Sequence, residues 1–326
     1  MGSLVPPPEM RAWIERSFGS VEAVERQTVL KVHNRWTLEG SLFNDLRARR
    51  PIDRRADRDD DPSLRGGADP FCHPLTGTPA DTFGRVEGEH ALSASNVAKY
   101  DGLHGVVIFE EHNPLGWFGE SVVDAFRTAQ RWLQEAHRAN SSAIYPFIMW
   151  NCLPRSGASI VHAHMQVALS EGEPYARVEL WRRAAESYRR EHGEEYLEAL
   201  YSVHESLGLA GVGDGVRWMA HLTPVKEKEL VLLAPSLGDQ LYREVHRVLR
   251  LYVDSLGVRA YNLAVYLPPL VPVEENWSGF GVVVRLVDRG DLGSATSDVG
   301  AMELFAQPVV ASDPWKVAET VRAGGM

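Results

Sequence analysis

Residues 156–167 read Ser-Gly-Ala-Ser-Ile-Val-His-Ala-His-Met-Gln-Val, with His162, His164 and Gln166 at strict two-residue spacing. A β-strand turns successive side chains to opposite faces and advances about 6.6 Å over two residues. The spacing therefore predicts a strand with His162, His164 and Gln166 on one face and Ala163, Met165 and Val167 on the other. Two imidazoles and a carboxamide in succession are costly to bury without partners. One face is for packing, and the other is for chemistry. A lone histidine on a strand is ordinarily a satisfied core or surface residue; two with a glutamine, behind a Ser-Gly-Ala-Ser turn, need another explanation.

The chain has 326 residues, room for roughly two domain-sized units or one duplicated unit. A net charge of −10 provides no general basic field, which argues against sequence-independent nucleic-acid binding. Any phosphate site must be local. Two cysteines, Cys72 and Cys152, make no disulfide scaffold and fit a reducing compartment. The first residues carry neither a basic segment nor an apolar one, and no apolar run approaches the roughly 20 residues of a membrane span. The expectation is a cytoplasmic protein with no membrane partner.

Along the chain, a helix is expected around Met10 to Arg26 and a strand at Val29–Val32. Residues 49–69 are Arg/Asp-rich with Pro51 and Pro62, a composition for a solvated, flexible loop. Gly105–Phe109 reads as a strand. Phe118–Ala139 reads as an amphipathic helix, with Val122, Phe126, Ala129, Trp132, Leu133 and Ala136 at helical spacing. Ser142–Trp150 is a further strand, and a loop from Asn151 to Ser159 leads into the histidine segment. Residues 171–210 look like a charged helical insertion. The order then recurs: strand material from Trp218 to Leu233, a helix from Leu237 to Ser255, and strands at Ala260–Leu267 and after Ser278-Gly279. Setting Ser278-Gly279 on Ser156-Gly157 lays Val284, Leu286 and Asp288 over His162, His164 and Gln166. The reading is a duplicated α+β fold: residues 1–170 as the reactive half, 171–210 as the insertion, and 211–326 as a degenerate half.

Asn151, the Ser156–Ser159 turn and the His162-x-His164-x-Gln166 pattern together resemble the active-site strand of the galactose-1-phosphate uridylyltransferase branch of the histidine-triad superfamily. The resemblance is good over residues 29–170 and holds in outline over 215–322. It implies a duplicated antiparallel half-barrel sheet flanked by helices, and it assigns His164 as a nucleophile toward an α-phosphate. It also implies a homodimer, and a structural zinc for which this sequence offers Asp69, Cys72, His112 and His162. Asp69 stands where relatives carry a cysteine, with His73 and His104 as substitutes. Zinc accepts all of these donor types; the alternative is a metal-free site with Cys72 as a small buried hydrophobe and His162 bonded to a carbonyl.

The residue chemistry agrees. Neutral imidazole is nucleophilic near neutral pH, and a covalent nucleotidyl-histidine splits one displacement into two. Gln166 offers an amide donor but shuttles no proton, which favours transfer over hydrolysis. Backbone amides at Gly157, Ala158 and Ser159, with Ser156 and the Ser159 hydroxyl, offer an anion nest. Asn96 resembles a ribose-contacting residue with Lys99 nearby for phosphate, and Asn151 is implied near the phosphates. Arg155 is either a second-phosphate contact or a solvated cation. Alternation puts Lys226 and Lys228 on one strand face, either solvated or facing an acceptor phosphate. The expected activity is nucleotidyl transfer between a nucleotide sugar and a sugar 1-phosphate or phosphate. Alternatives are a dinucleoside polyphosphate phosphorylase or hydrolase, and a non-catalytic nucleotide-binding relative.

Overall fold

The structure is a computed structural model that describes residues 2–49, 69–294 and 297–324. The loop expected at 49–69 lies, apart from its two end residues, outside the described residues. The chain begins with β1 (Gly2–Ser3), α1 (Pro8–Phe18), α2 (Val21–Glu25), β2 (Arg26–Gln27), β3 (Leu30–His33) and β4 (Gly40–Phe43). The helix expected over Met10–Arg26 is thus two. Gly19 takes φ +82° and ends α1, and the Ser20 side chain accepts the Ala23 amide to start α2.

After α3 (Pro74–Gly77), the first half continues with β5 (Ala91–Ser95), β6 (Leu103–Phe109), α4 (Gly119–Ala139), β7 (Ala143–Cys152) and β8 (His164–Glu171). Helices α5 (Ala176–His192) and α6 (Tyr196–Ser206) follow. The second half comprises β9 (Ala210–Gly213), β10 (Val216–Ala220), β11 (Glu227–Ala234), α7 (Asp239–Asp254), β12 (Tyr261–Tyr266) and β13 (Val282–Asp288). The chain closes with α8 (Ala301–Phe305), β14 (Val309–Val310) and α9 (Pro314–Ala323). No helix among the described residues is long and apolar enough to cross a membrane.

Nine strands form one antiparallel sheet in the order β5-β6-β8-β7-β12-β13-β11-β10-β9. The duplication is visible in that order. The set β5-β6-β8-β7 is answered by β10-β11-β13-β12, and the halves meet where β7 pairs with β12. Helices α4 and α7 pack together on one face, with Phe126 stacked on Tyr242 at 5.0 Å. That face buries Ile148, Trp150 and Cys152 of β7, Ala163 ahead of β8, Met165 and Val167 of β8, and Val284 and Leu286 of β13.

This placement corrects the overlay of the two halves. Val284 and Leu286 share the helix-packed face with Met165 and Val167, so the strand positions answering His164 and Gln166 on the opposite face are drawn from Val283, Arg285 and Val287. The second chain segment enters its strand at Val282, far sooner after its Ser-Gly pair than the first, which enters at His164. Anchoring on those pairs shifts the register, and a one-residue shift exchanges faces.

In the second half, α5 and α6 cover the face opposite α7. Trp181, Tyr196 and Tyr201 pack with Met219, Val231, Tyr266 and Val283. Within this layer Arg285 is buried, donating to Glu229 at 2.5 Å and to Glu39 at 2.6 Å, with its guanidinium over the Trp181 ring. Burial alone would raise the Glu39 carboxyl pKa, but Arg285 and His221 overrule it and hold the group well below the usual carboxylate range. An ion triad fills the place where the first half carries imidazole and amide.

Arg285→Ala strands two buried carboxylates and should cost about 3–5 kcal/mol in urea unfolding. Adding Glu39→Gln and Glu229→Gln should recover most of that loss. The folded Glu39 pKa lies below its unfolded value of about 4.3, so its contribution is complete above that pH and is lost as pH falls through the folded value. Stability measured against pH should therefore have a shallower acid limb in the triple variant.

Candidate active site

On β8, His164 pairs with Ile108 of β6, and Gln166 pairs with Val106. On its other side β8 meets β7 with Gln166 against Met149; continuing that register by two residues sets Asn151 across from His164, and Asn151 in turn pairs with Asn262 of β12. A row of His164, Asn151 and Asn262 thus crosses the sheet on the face away from α4 and α7. Asn151 belongs to β7 rather than to the loop that follows it. His162 lies just outside regular β8, although ladder-like bonds from Phe109 N–H to the Ala163 carbonyl and from Ala163 N–H to the His112 carbonyl hold the segment.

The tautomer of His164 follows from its partner. Nδ1 lies 2.7 Å from the His162 carbonyl, which only accepts, so Nδ1 carries the proton. Nε2 is left with its lone pair and no hydrogen-bond partner among the described residues. Burial pushes the His164 pKa below the ordinary imidazole range, keeping it neutral, and the Phe71 ring approaches edge-on at 5.1 Å. The ring is therefore neutral, with the Nε2 lone pair available.

His162 is fixed the other way round. Its Nε2 donates to the Phe109 carbonyl at 2.7 Å, so its Nδ1 bears the lone pair. That atom faces His112 Nδ1 at 3.2 Å, Cys72 Sγ at 3.7 Å and Asp69 at 3.7 Å. One ligand atom from each of Asp69, Cys72, His112 and His162 lies within 4.8 Å of the others, a cluster able to hold a metal ion. Carbonyl bonding and ligand geometry, posed as alternatives for His162, are met by its two nitrogens together. His73 and His104 are not part of the cluster. Asp69 Oδ1 also accepts the Phe71 and Cys72 amides, so the residue standing in for a cysteine shapes the turn that carries Cys72.

Gln166 Oε1 is 2.9 Å from His104 Nε2 and 3.5 Å from Asn96 Nδ2, which places Asn96 at the site. Lys99 is not brought there. Its ammonium bonds Ser95 and the His104 carbonyl and sits 3.8 Å from Asp81, the partner of the Trp132 indole in the helix-side core. The Ser156 turn also differs from the expected nest. The Gly157 and Ala158 amides and the Ser156 hydroxyl are bonded to the Leu153 and Pro154 carbonyls, closing a tight turn in which Leu153 has φ +71° and Gly157 φ +97°. Ser159 is exposed, and no hydrogen bond among the described residues engages its hydroxyl.

Arg155 reaches into the second half, donating to the Arg289 and Ser294 carbonyls. Lys226 and Lys228 do not alternate on one strand face. Lys226 precedes β11 and bonds Asp298, while Lys228 has φ +53° at a slip in pairing and bonds Asp288. Asn262 and Arg289 escaped the sequence reading because neither lies near the histidine motif. Their signal was an asparagine inside an otherwise apolar strand.

No family model matches the chain. An uncharacterised protein of Archaeoglobus fulgidus is 26% identical over 202 residues, covering 56% of this chain and 59% of that protein, so the match spans little more than half its length. An ADP-glucose phosphorylase from Arabidopsis thaliana, solved with bound ADP-glucose, superposes with a TM-score of 0.71 at 15% identity, over 90% of this chain and 99% of that one. A uridylyltransferase structure gives 0.62 at 14% identity, over 91% and 98%. A galactose-1-phosphate uridylyltransferase-like protein from Arabidopsis thaliana gives 0.60 at 17% identity, over 78% and 91%. The chain shares the overall fold of these three structures.

The fixed tautomer is open to measurement. In 15N spectra of labelled protein near neutral pH, His164 should show a protonated, pyrrole-type Nδ1 and a pyridine-type Nε2. The opposite assignment would leave Nε2 without a lone pair.

Proposed function

We propose that the protein transfers a nucleoside monophosphate from a nucleotide sugar to a phosphate-bearing acceptor, a sugar 1-phosphate or inorganic phosphate, through a covalent nucleotidyl-His164. The observation that carries this reading is the His164 ring itself: Nδ1–H held by the His162 carbonyl, Nε2 without a hydrogen-bond partner among the described residues, and Asn151 and Gln166 on the same sheet face. In the first step Nε2 forms the N–P bond while the P–O bond to the sugar 1-phosphate breaks, and the leaving phosphate takes the electron pair. In the second step an acceptor phosphate oxygen attacks the same phosphorus, and the N–P electrons return to Nε2. Nδ1 keeps its proton throughout, and the His162 carbonyl stabilises the positive charge that builds on the ring. Asn151, Gln166 and Ser159 supply donors to the phosphoryl oxygens, and Asn96 lies beside Gln166 for the nucleoside.

The donor set Asp69, Cys72, His112 and His162 fits zinc, since all four residue types are accepted ligands and the His162 lone pair is turned into the cluster. Bound there, zinc would supply a structural cross-link between the turn at Asp69–Cys72, the segment after β6 and the entry to β8. The chain's own contribution is to leave the His162 carbonyl pointing at His164.

Incubation with a panel of ADP-, UDP-, GDP- and CDP-sugars should give an intact-mass adduct of one nucleoside monophosphate, absent in His164→Ala. Its mass names the base. Inorganic phosphate or a sugar 1-phosphate should discharge it much faster than water. Absence of an adduct with every donor would sink the proposal. Separately, elemental analysis should find zinc in the purified protein and little in Cys72→Ser or His112→Ala. Chelation should lower the thermal midpoint of the parent and leave that of the variants unchanged.

A further inference from the structure

The two carboxamides beside His164 each have one end engaged, and the partners fix which end. Asn262 touches the Ser156 carbonyl, which only accepts, at 2.9 Å through Nδ2, and Arg289, which only donates, through Oδ1. The Asn262 amide therefore has one permitted orientation, and assignment of its oxygen and nitrogen is not arbitrary. Its Nδ2 then donates to Asn151 Oδ1 at 2.6 Å. Asn151 is left with its NH2 group as the free end, on the same row as His164.

The same logic holds on the other side. The Tyr100 amide donates to His104 Nδ1 at 2.9 Å, so His104, whose pKa burial lowers, carries its proton on Nε2. That nitrogen donates to Gln166 Oε1 at 2.9 Å, leaving the Gln166 NH2 as the free end.

We propose that Asn262 and His104 are positioning residues that hold the Asn151 and Gln166 amides donor-end toward the phosphorus bound at His164, and that the silent half of the molecule takes part in the reaction through Asn262 and Arg289. The inference deepens, and rests on, the proposed transfer at His164. Without these partners each amide is free to rotate and present its oxygen to a phosphoryl oxygen, which repels it. Arg289 is itself held by Asp298 at 2.7 and 3.0 Å, so the chain Asp298–Arg289–Asn262–Asn151 is continuous.

The test uses the full-length protein and Asn262→Asp, which keeps side-chain size and a partner for Arg289 but loses the donor to Asn151. Side-chain 1H–15N signals of Asn151 and Gln166, assigned by their loss in Asn151→Ala and Gln166→Ala, are followed while inorganic phosphate, AMP, CMP, GMP and UMP are titrated. Both signals should move in the parent. In Asn262→Asp only Gln166 should respond, and in His104→Phe only Asn151.

Kinetically, Asn262→Asp should slow nucleotidylation of His164 roughly 100-fold, the scale for losing one oriented donor, with KM changed by no more than about 2-fold. Adding Asn262→Asp to Asn151→Ala should slow the reaction no further, because one residue acts through the other. The proposal is overturned by an Asn151 signal that stays still in the parent or still moves in Asn262→Asp, or by additive effects in the double variant. The titration needs no turnover. A protein whose amides respond but which never forms an adduct refutes the transfer reading and leaves the positioning of the amides standing.

Discussion

The pairing of β7 with β12 is the constraint on which the rest of the molecule depends. Its register runs from Phe147–Tyr266 to Cys152–Tyr261 and fuses a four-stranded and a five-stranded unit into one sheet. Because side chains alternate, that single register sets Trp150 and Leu263 toward α4 and α7 and sets Asn151 and Asn262 toward the opposite face. Trp150 then meets Phe109, Trp117 and Tyr261 in an aromatic cluster with centroids 5.0–5.8 Å apart. A slip of one residue would push Asn151 into that cluster and Trp150 into the site. Core and chemistry are two faces of the same decision.

The face away from α4 and α7 then takes two different courses. In the second half, α5 and α6 close over it, and its polar residue, Arg285, is neutralised by Glu39 and Glu229. In the first half the polar residues are held at one end only. His164 is anchored through Nδ1 and Gln166 through Oε1, so each satisfies part of its burial cost inside the protein, and among the described residues the other end has no hydrogen-bond partner. Half-satisfied side chains on a rigid strand distinguish a site from a core.

Local patterns in the sequence were sufficient for much of this. The spacing of His164 and Gln166 gave the strand face, with His162 falling just ahead of the strand, and helical periodicity gave α4 within a residue of its ends. The four-residue metal set also came together as expected from the resemblance, although its members span residues 69 to 162. What stayed hidden was decided by tertiary partners. Nothing local to Lys99 says that Asp81 will draw it to the helix side of the sheet. Nothing in Ser-Gly-Ala-Ser says that its amides will be consumed by the Leu153 and Pro154 carbonyls. The misplaced overlay of Val284, Leu286 and Asp288 has a similar origin, since the length of the turn before a strand, not the Ser-Gly pair, sets its phase.

Under the proposed reaction, the hydrogen bonds around His164 also bear on why the acceptor is a phosphate and not water. A phosphate dianion can attack without losing a proton, whereas water needs a base near the phosphorus. Gln166 accepts no proton. His104 already carries one on the nitrogen that faces Gln166, and its other nitrogen accepts the Tyr100 amide. His162 gives Nε2–H to the Phe109 carbonyl and turns its lone pair toward Cys72, Asp69 and His112, away from His164. Gln166, His104 and His162 are therefore committed to roles other than proton removal. Selectivity for transfer is then favoured by where these protons are fixed.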